Sequence, residues 1–220
     1  MHRELSDSDK QMMKAALFDL DGVVFNTEPQ YTVFWKSIAK EYRPDIEHFE
    51  QKIKGQTLVQ IYDRYFADDK AEQDDITRQL NEFEEHMHFD YIPGFKDYIR
   101  YLKAQGVKTA VVTSSNKAKM AVVYKQRPDF KQLFDAILTS EDFDKSKPDP
   151  DCYLKGAARF NASPKECVVF EDSFNGLKAG RASGAKVIGL ATTNKASDIA
   201  PYCDEVISNY THMADNNDRN

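Results

Sequence analysis

At 220 residues, with a hydrophobic share of 41% and a charged share of 30%, the chain has room for one full domain and a smaller companion around a sizeable core. The net charge is −6, and residues Glu28 through Asp90 alone carry 15 acidic and 8 basic groups, a net of −7 that leaves about +1 elsewhere; such acidity argues against nucleic acid as a partner, because that binding starts with phosphate neutralisation by Lys and Arg. No apolar run approaches the ~18 residues of a membrane span, and the polar start M-H-R-E-L-S-D-S-D-K-Q has no signal-peptide core, so no membrane partner and a cytoplasmic location are expected.

Residues 1 to about 13 read as a loosely packed lead-in. Ala15 to Leu20 is then almost wholly apolar without alternation, which suits a strand buried on both faces of a parallel sheet. Asp19 and Asp21 stand at its carboxyl end, where open α/β sheets place ligands, and residues two apart in extended chain point to one side. Two anions so close repel unless a cation or shared proton compensates. A plain strand end with an Asp-Gly turn is the bland alternative.

From about Gln30 to Phe89 apolar residues recur at three- and four-residue steps (Val33, Phe34, Ser37 and Ile38; Ile46, Phe49 and Ile53; Ile76, Leu80, Phe83 and Met87), predicting a small all-helical insertion with Lys54-Gly55-Gln56-Thr57 as a turn. Beyond Pro93 the pattern alternates. Helices are expected over 95–105, 116–126, 151–160 and 173–184, and strands over 107–112, 136–139, 166–170, 186–190 and 205–207. Repeated strand-helix-strand units imply a parallel sheet covered by helices on both faces. The tail from about Thr211 is polar. Cys152, Cys167 and Cys203 are odd in number and lack metal-ligand spacing, so they read as free structural thiols in a reducing compartment.

Polar residues recur at strand carboxyl ends: Thr113-Ser114-Ser115-Asn116 after V-K-T-A-V-V, Glu171-Asp172-Ser173 after V-V-F, and Lys147 within S-K-P-D-P. Helix capping is the bland account of each hydroxyl cluster. All of them at one sheet edge form a coherent set, however. Asp19, Asp21, Glu171 and Asp172 are too much negative charge for one small site without a divalent cation, and an all-oxygen set suits Mg²⁺. A hydroxyl, backbone N–H groups and a lysine can hold a tetrahedral dianion beside it, while one aspartate attacks phosphorus and the other shuttles a proton.

The segments D-L-D-G-V-V-F-N-T-E, V-V-T-S-S-N, S-K-P-D-P and F-E-D-S-F-N-G match, in order, the four motifs of the haloacid dehalogenase (HAD) superfamily, and the chain resembles its phosphatase and phosphomutase branch from about Lys14 to Ile207. The resemblance implies an α/β fold: a Rossmann-like, doubly wound parallel core formed by 1–29 and 90–220, with a helical C1 cap at 30–89 that sets substrate specificity. It implies Asp19 as nucleophile and Asp21 as general acid and base. Mg²⁺ would be held by Asp19, the Asp21 carbonyl, Asp172 and, directly or through water, Glu171. Thr113, the Ser114 amide and Lys147 would bind the phosphoryl group, and Lys54 before Gly55 is a candidate contact to the leaving group, a solvated lysine being its plain alternative. Dehalogenase chemistry is disfavoured, since that branch lacks the second aspartate.

The implied activity is a Mg²⁺-dependent phosphatase of a small phosphorylated metabolite, a monomer sufficing. A β-phosphoglucomutase-type mutase is the alternative, and a non-catalytic binding protein on the same fold a third reading. Against the mutase, Leu58 stands where that enzyme has an arginine for a second phosphate and Tyr31 where it has a histidine. Asn81, Glu82, Glu84 and Glu85 occupy the region of its cap lysine. His86 and His88, two apart, read as solvated cap residues rather than a metal pair, and Trp35 and Tyr31 as core rather than pocket.

Overall fold

The computed structural model describes residues 13–54, 56–211 and 213–214. The expected lead-in before Met13, Gly55 of the insertion turn, and most of the polar tail lie outside these residues.

The first strand, β1 (Ala15–Phe18), is buried at every position. It is followed by a helical insertion, α1 (Glu28–Tyr42), α2 (Phe49–Lys52), α3 (Leu58–Tyr65) and α4 (Lys70–His86), and then by the alternating part: α5 (Phe95–Ala104), β2 (Lys108–Val112), α6 (Lys117–Gln126), α7 (Phe130–Leu133), β3 (Ala136–Leu138), α8 (Asp151–Ala158), β4 (Cys167–Glu171), α9 (Phe174–Ser183), β5 (Lys186–Leu190), α10 (Ala196–Ile199) and β6 (Glu205–Ile207). The six strands are parallel in the order β3-β2-β1-β4-β5-β6, with Leu17 paired to Ala110 on one side and Val169 on the other. The chain therefore runs outward from β1 on one side and returns to build the other. The carboxyl end of β1 is thus the topological switch point where such sheets bind ligands.

Alternate residues of β1 feed two cores. Phe18 stacks on Phe170 at 4.5 Å and packs with Phe95, Tyr98 and Tyr210 under α5 and α6; Leu17 lies with Tyr153, Ala157 and Leu177 under α8 and α9. Each fully buried Phe or Leu here contributes about 1.5–3 kcal/mol. The insertion has a cluster of its own, built on Phe34, Trp35, Ile38, Phe49, Phe66 and Ile76.

Several expectations shift at this level. Strand β1 stops at Phe18, two residues early, because Leu20 folds back to accept the amides of Val24 and Phe25 at 2.8 and 3.0 Å. Strand β4 runs one residue further, to Glu171. Val33, counted in the apolar stripe of α1, is 68% exposed, since Phe34, Trp35 and Ile38 carry the buried face. The four-residue helices α7 and α10 are too short to leave a period, and neither was expected. Helix α3 opens with a reciprocal capping box between Thr57 and Gln60 just after the expected turn. All three cysteines are buried and unpaired, as read from the sequence, and no described helix is long and apolar enough to cross a membrane.

Candidate active site

Between the sheet edge and the insertion lies a cavity of about 530 Å³ whose lining includes Asp19, Asp21, Thr113, Ser114, Lys147 and Asp172 from the strand ends and Lys54 from the insertion. Of the residues expected to act as catalytic, phosphate-binding or metal-holding groups, Glu171 alone is not part of the lining. It is fully buried behind the site.

The turn after β1 brings the two aspartates to one place. Gly22 has φ of 71°, and a Cβ there would come within 2.1 Å of Asp172 Oδ2, so only glycine lets β1 and β4 deliver their acids side by side. One carboxylate oxygen each from Asp19, Glu171 and Asp172 lies within 4.8 Å of the other two. Lys147, 5% exposed, donates to Asp19 Oδ1 and to Glu171 Oε1, both at 2.6 Å. Burial pulls the Lys147 ammonium down, but Asp19 and Glu171 outweigh it and hold the group well above its ordinary range. Burial pushes the Asp19 carboxyl up to about 7 against the pull of Lys147, and burial followed by Glu171 drives Asp172 well above the usual carboxylate range.

Glu171 acts as the local anchor. Its Oε1 accepts Lys147 and, at 2.8 Å, the Tyr153 hydroxyl; its Oε2 accepts the amides of Asp172 and Ser173 and the Ser173 hydroxyl at 3.0–3.1 Å. A Cβ on Gly176 would overlap Oε1 at 1.7 Å, which explains the glycine two residues into α9. Ser173 also caps α9, its hydroxyl accepting the Gly176 amide, so the plain capping account holds for that hydroxyl. At the second strand end, Asn116 rather than Thr113 or Ser114 caps α6. Thr113 is buried, with its hydroxyl accepting the Ser115 amide at 3.0 Å, and Ser114 is exposed to the cavity.

Two contributors escaped sequence reasoning. Lys119 on α6 is buried, places Nζ 2.5 Å from Asp21 Oδ2 and lies 4.8 Å from the Tyr31 ring centre. Burial lowers its pKa, but Asp21 and Glu84 more than offset this. The loop after β5 is the second: Thr192 donates to the Gly22 carbonyl at 2.6 Å, Thr193 to Asp172 Oδ2, and Asn194 to the Asp172 carbonyl at 3.0 Å. Glu28, at the start of α1, has its carboxyl raised to about 7 by burial and then by Asp21. Thr27 donates to Asp21 Oδ1 at 2.6 Å. Lys54 Nζ spans from the insertion to the Thr193 carbonyl at 2.9 Å. Tyr31 and Trp35 both line the cavity as well as packing in or against the insertion core, and the Tyr31 hydroxyl donates to Glu84 at 2.7 Å. His86 and His88 are exposed.

Among the described residues, the ammonium groups paired with the four acids are Lys147, on Asp19 and Glu171, and Lys119, on Asp21, while Asp172 accepts from the Thr193 hydroxyl. The surplus of two negative charges, the raised carboxyls and the all-oxygen donors fit one hard divalent cation of the Mg²⁺ kind.

A sequence model of haloacid dehalogenase-like hydrolases matches residues 16–190. Among characterised relatives, a bifunctional riboflavin kinase/FMN phosphatase of Arabidopsis thaliana is 29% identical over 214 residues, which are 93% of this chain and 55% of that protein, so the chain spans about half of it. A phosphorylated carbohydrates phosphatase of Thermotoga maritima is 29% identical over 80% of this chain and 84% of its own length. The β-phosphoglucomutase of Bacillus subtilis is 27% identical over 81% and 83%. In fold, the crystal structure of a HAD hydrolase from Entamoeba histolytica superposes with a TM-score of 0.80 over 92% of this chain and 98% of that one at 24% identity. With its motifs gathered at the switch point of a parallel sheet and the family match running through most of its length, the chain belongs to the haloacid dehalogenase-like hydrolases.

Proposed function

We propose that the protein is a Mg²⁺-dependent, cytoplasmic phosphatase of small phosphorylated metabolites, sugar phosphates foremost, acting through an aspartyl phosphate on Asp19. The observation that supports this best is the setting of Asp19, which meets the cavity with Lys147 2.6 Å from its Oδ1 and Asp172 beside it. Asp21, two residues on, is held by Thr27, Ser115 and Lys119.

Asp19 attacks phosphorus as the bond to the leaving oxygen breaks, and Asp21 gives that oxygen its proton. Asp21 then takes a proton from water, which attacks the phosphoaspartate, releasing phosphate and restoring Asp19. Thr113, the Ser114 amide and Lys147 hold the transferring group. Asp19, Asp172 and the Asp21 carbonyl would hold the cation, with Glu171 behind them; when bound, it neutralises charge on the phosphoryl oxygens. Residues 30–89 serve as the cap over a core formed by 1–29 and 90–220, and closure excludes bulk water. A monomer suffices for this chemistry, and neither nucleic acid nor membrane takes part.

Mutase chemistry is the second reading, favoured by the likeness to a β-phosphoglucomutase. It needs a grip on a second phosphate, and the cap side offers Leu58, Tyr31 and Glu84 where cations are required. Phosphate release from a panel of sugar phosphates with Mg²⁺, against an Asp19→Asn control, tests the proposal. Turnover no greater than the control on every substrate defeats it. Conversion of one glucose monophosphate into its isomer faster than hydrolysis would replace it with the mutase.

A further inference from the structure

The lysine that holds Asp21 is itself held from the insertion. Lys119 Nζ, 2.5 Å from Asp21 Oδ2, stands over the Tyr31 ring of α1 at 4.8 Å from its centre. The Tyr31 hydroxyl in turn donates to Glu84 Oε1 of α4 at 2.7 Å, and Phe83 packs edge-to-face on the same ring at 5.6 Å. Helix α4 packs against both α1 and α6. Three helices thus converge on one line of contacts, from Glu84 through Tyr31 and Lys119 to Asp21.

A lysine stem has several rotatable bonds, and nothing intrinsic to it selects the rotamer that reaches Asp21. The face of an aromatic ring attracts an ammonium, but it guides one only while the ring keeps its orientation. A phenol tied at its oxygen and packed at its edge keeps that orientation. Burial, then Asp21 and Glu84, push the Tyr31 phenol well above its ordinary range, so it remains a donor to Glu84.

We infer that Tyr31 and Glu84 are positioning residues for the proton transfer by Asp21: the Glu84 carboxylate sets the Tyr31 ring, the ring sets the Lys119 ammonium, and the ammonium sets the Asp21 carboxyl. The inference rests on the phosphatase reading above. It adds two insertion residues that act on the reaction through Lys119 rather than through the substrate, although both border the cavity.

Benzyl phosphate and p-nitrophenyl phosphate are esters of similar size that differ in their need for a proton, since the benzyl alkoxide leaves poorly without one and p-nitrophenolate leaves readily. Their kcat/KM values report the transfer to Asp19, before water attacks. With Mg²⁺, Tyr31→Phe and Glu84→Ala are each expected to lower kcat/KM for benzyl phosphate by about ten-fold, as when a group that orients a reacting side chain is lost, and to leave p-nitrophenyl phosphate within about two-fold. Both changes break the same bond, so the double variant should be no slower than either single one. Glu84→Gln keeps an acceptor for the phenol and should retain the parent value. Equal losses on the two esters would mark a structural or substrate-contact role and overturn the inference. Variants that lose nothing overturn it too, as do losses that multiply in the double variant or a Glu84→Gln as slow as Glu84→Ala. Turnover of both esters no greater than that of Asp19→Asn removes the phosphatase reading and the inference together, whereas each of the other outcomes spares that reading.

Discussion

Lys119 and Asp21, 98 residues apart in sequence, meet with Nζ 2.5 Å from Oδ2 inside the cavity. Thr27 takes the other carboxylate oxygen, so the side chain proposed to move the proton is held from both ends. Replacing Lys119 by Met should lower kcat by about ten- to hundred-fold, within the range general acid-base groups contribute. KM should change much less. Steady-state phosphate release with Mg²⁺ checks this, and a change confined to KM would show that Lys119 serves binding instead.

Removal of the metal should make stability depend on pH in a set direction. The folded Asp19 and Glu28 carboxyls sit near about 7, above their unfolded values of 3.8 and 4.5. Their contribution is then complete below the unfolded values and lost as pH rises through about 7. Metal-free protein should lose on the order of 2 kcal/mol between about pH 5 and pH 8. Mg²⁺ at the higher pH should restore it by binding the folded form. Urea unfolding with and without chelator measures both, and a flat metal-free profile would contradict the expectation.

Glu171 is expected to matter more for folding than for contact with substrate. Glu171→Ala leaves Lys147 and the Tyr153 hydroxyl without their shared acceptor, and breaking a buried pair in this way costs about 3–5 kcal/mol. The melting temperature should fall steeply, and Gly176→Ala should fall in the same direction by about 1–3 kcal/mol through overpacking.

Thr193 joins the insertion to the site, its hydroxyl on Asp172 and its carbonyl receiving Lys54. Thr193→Val keeps the shape and removes the donor. Mg²⁺ affinity should weaken by about ten-fold or more, as when groups that orient a ligand are lost. Calorimetric titration of Mg²⁺ reads this directly, and an unaltered affinity would show that Asp172 needs no orienting donor.

Acid at the end of a buried strand is conspicuous, which is why Asp19, Asp21, Glu171 and Asp172 could be picked out before any coordinates. Lys119 could not be. It shares the K-A-K of α6 with exposed Lys117, and only the packing of that helix against the sheet separates the buried lysine from its solvated neighbour. Thr193 likewise lies in a T-T-N loop with no period or motif to distinguish it. The position of Glu171 depended on where β4 ends, a matter of one residue that strand patterns leave open. A parallel sheet with helices on both faces follows from the alternation of strand and helix, but the order of its strands, β3-β2-β1-β4-β5-β6, is not legible in that pattern. Nor are the short α7 and α10, because four residues make barely one turn.

The amide of Gln60 has one further consequence. Its oxygen accepts the Thr57 amide at 2.9 Å within the insertion, while its two links to the sheet side, to the Lys147 carbonyl and from Asn175, are both 3.3 Å long. Under tension the longer pair yields first, and the capping bond stays intact. If residues 30–89 close over the site as proposed, α3 is expected to move as an already formed helix, and hydrogen exchange in α3 should stay slow while the cavity opens and shuts.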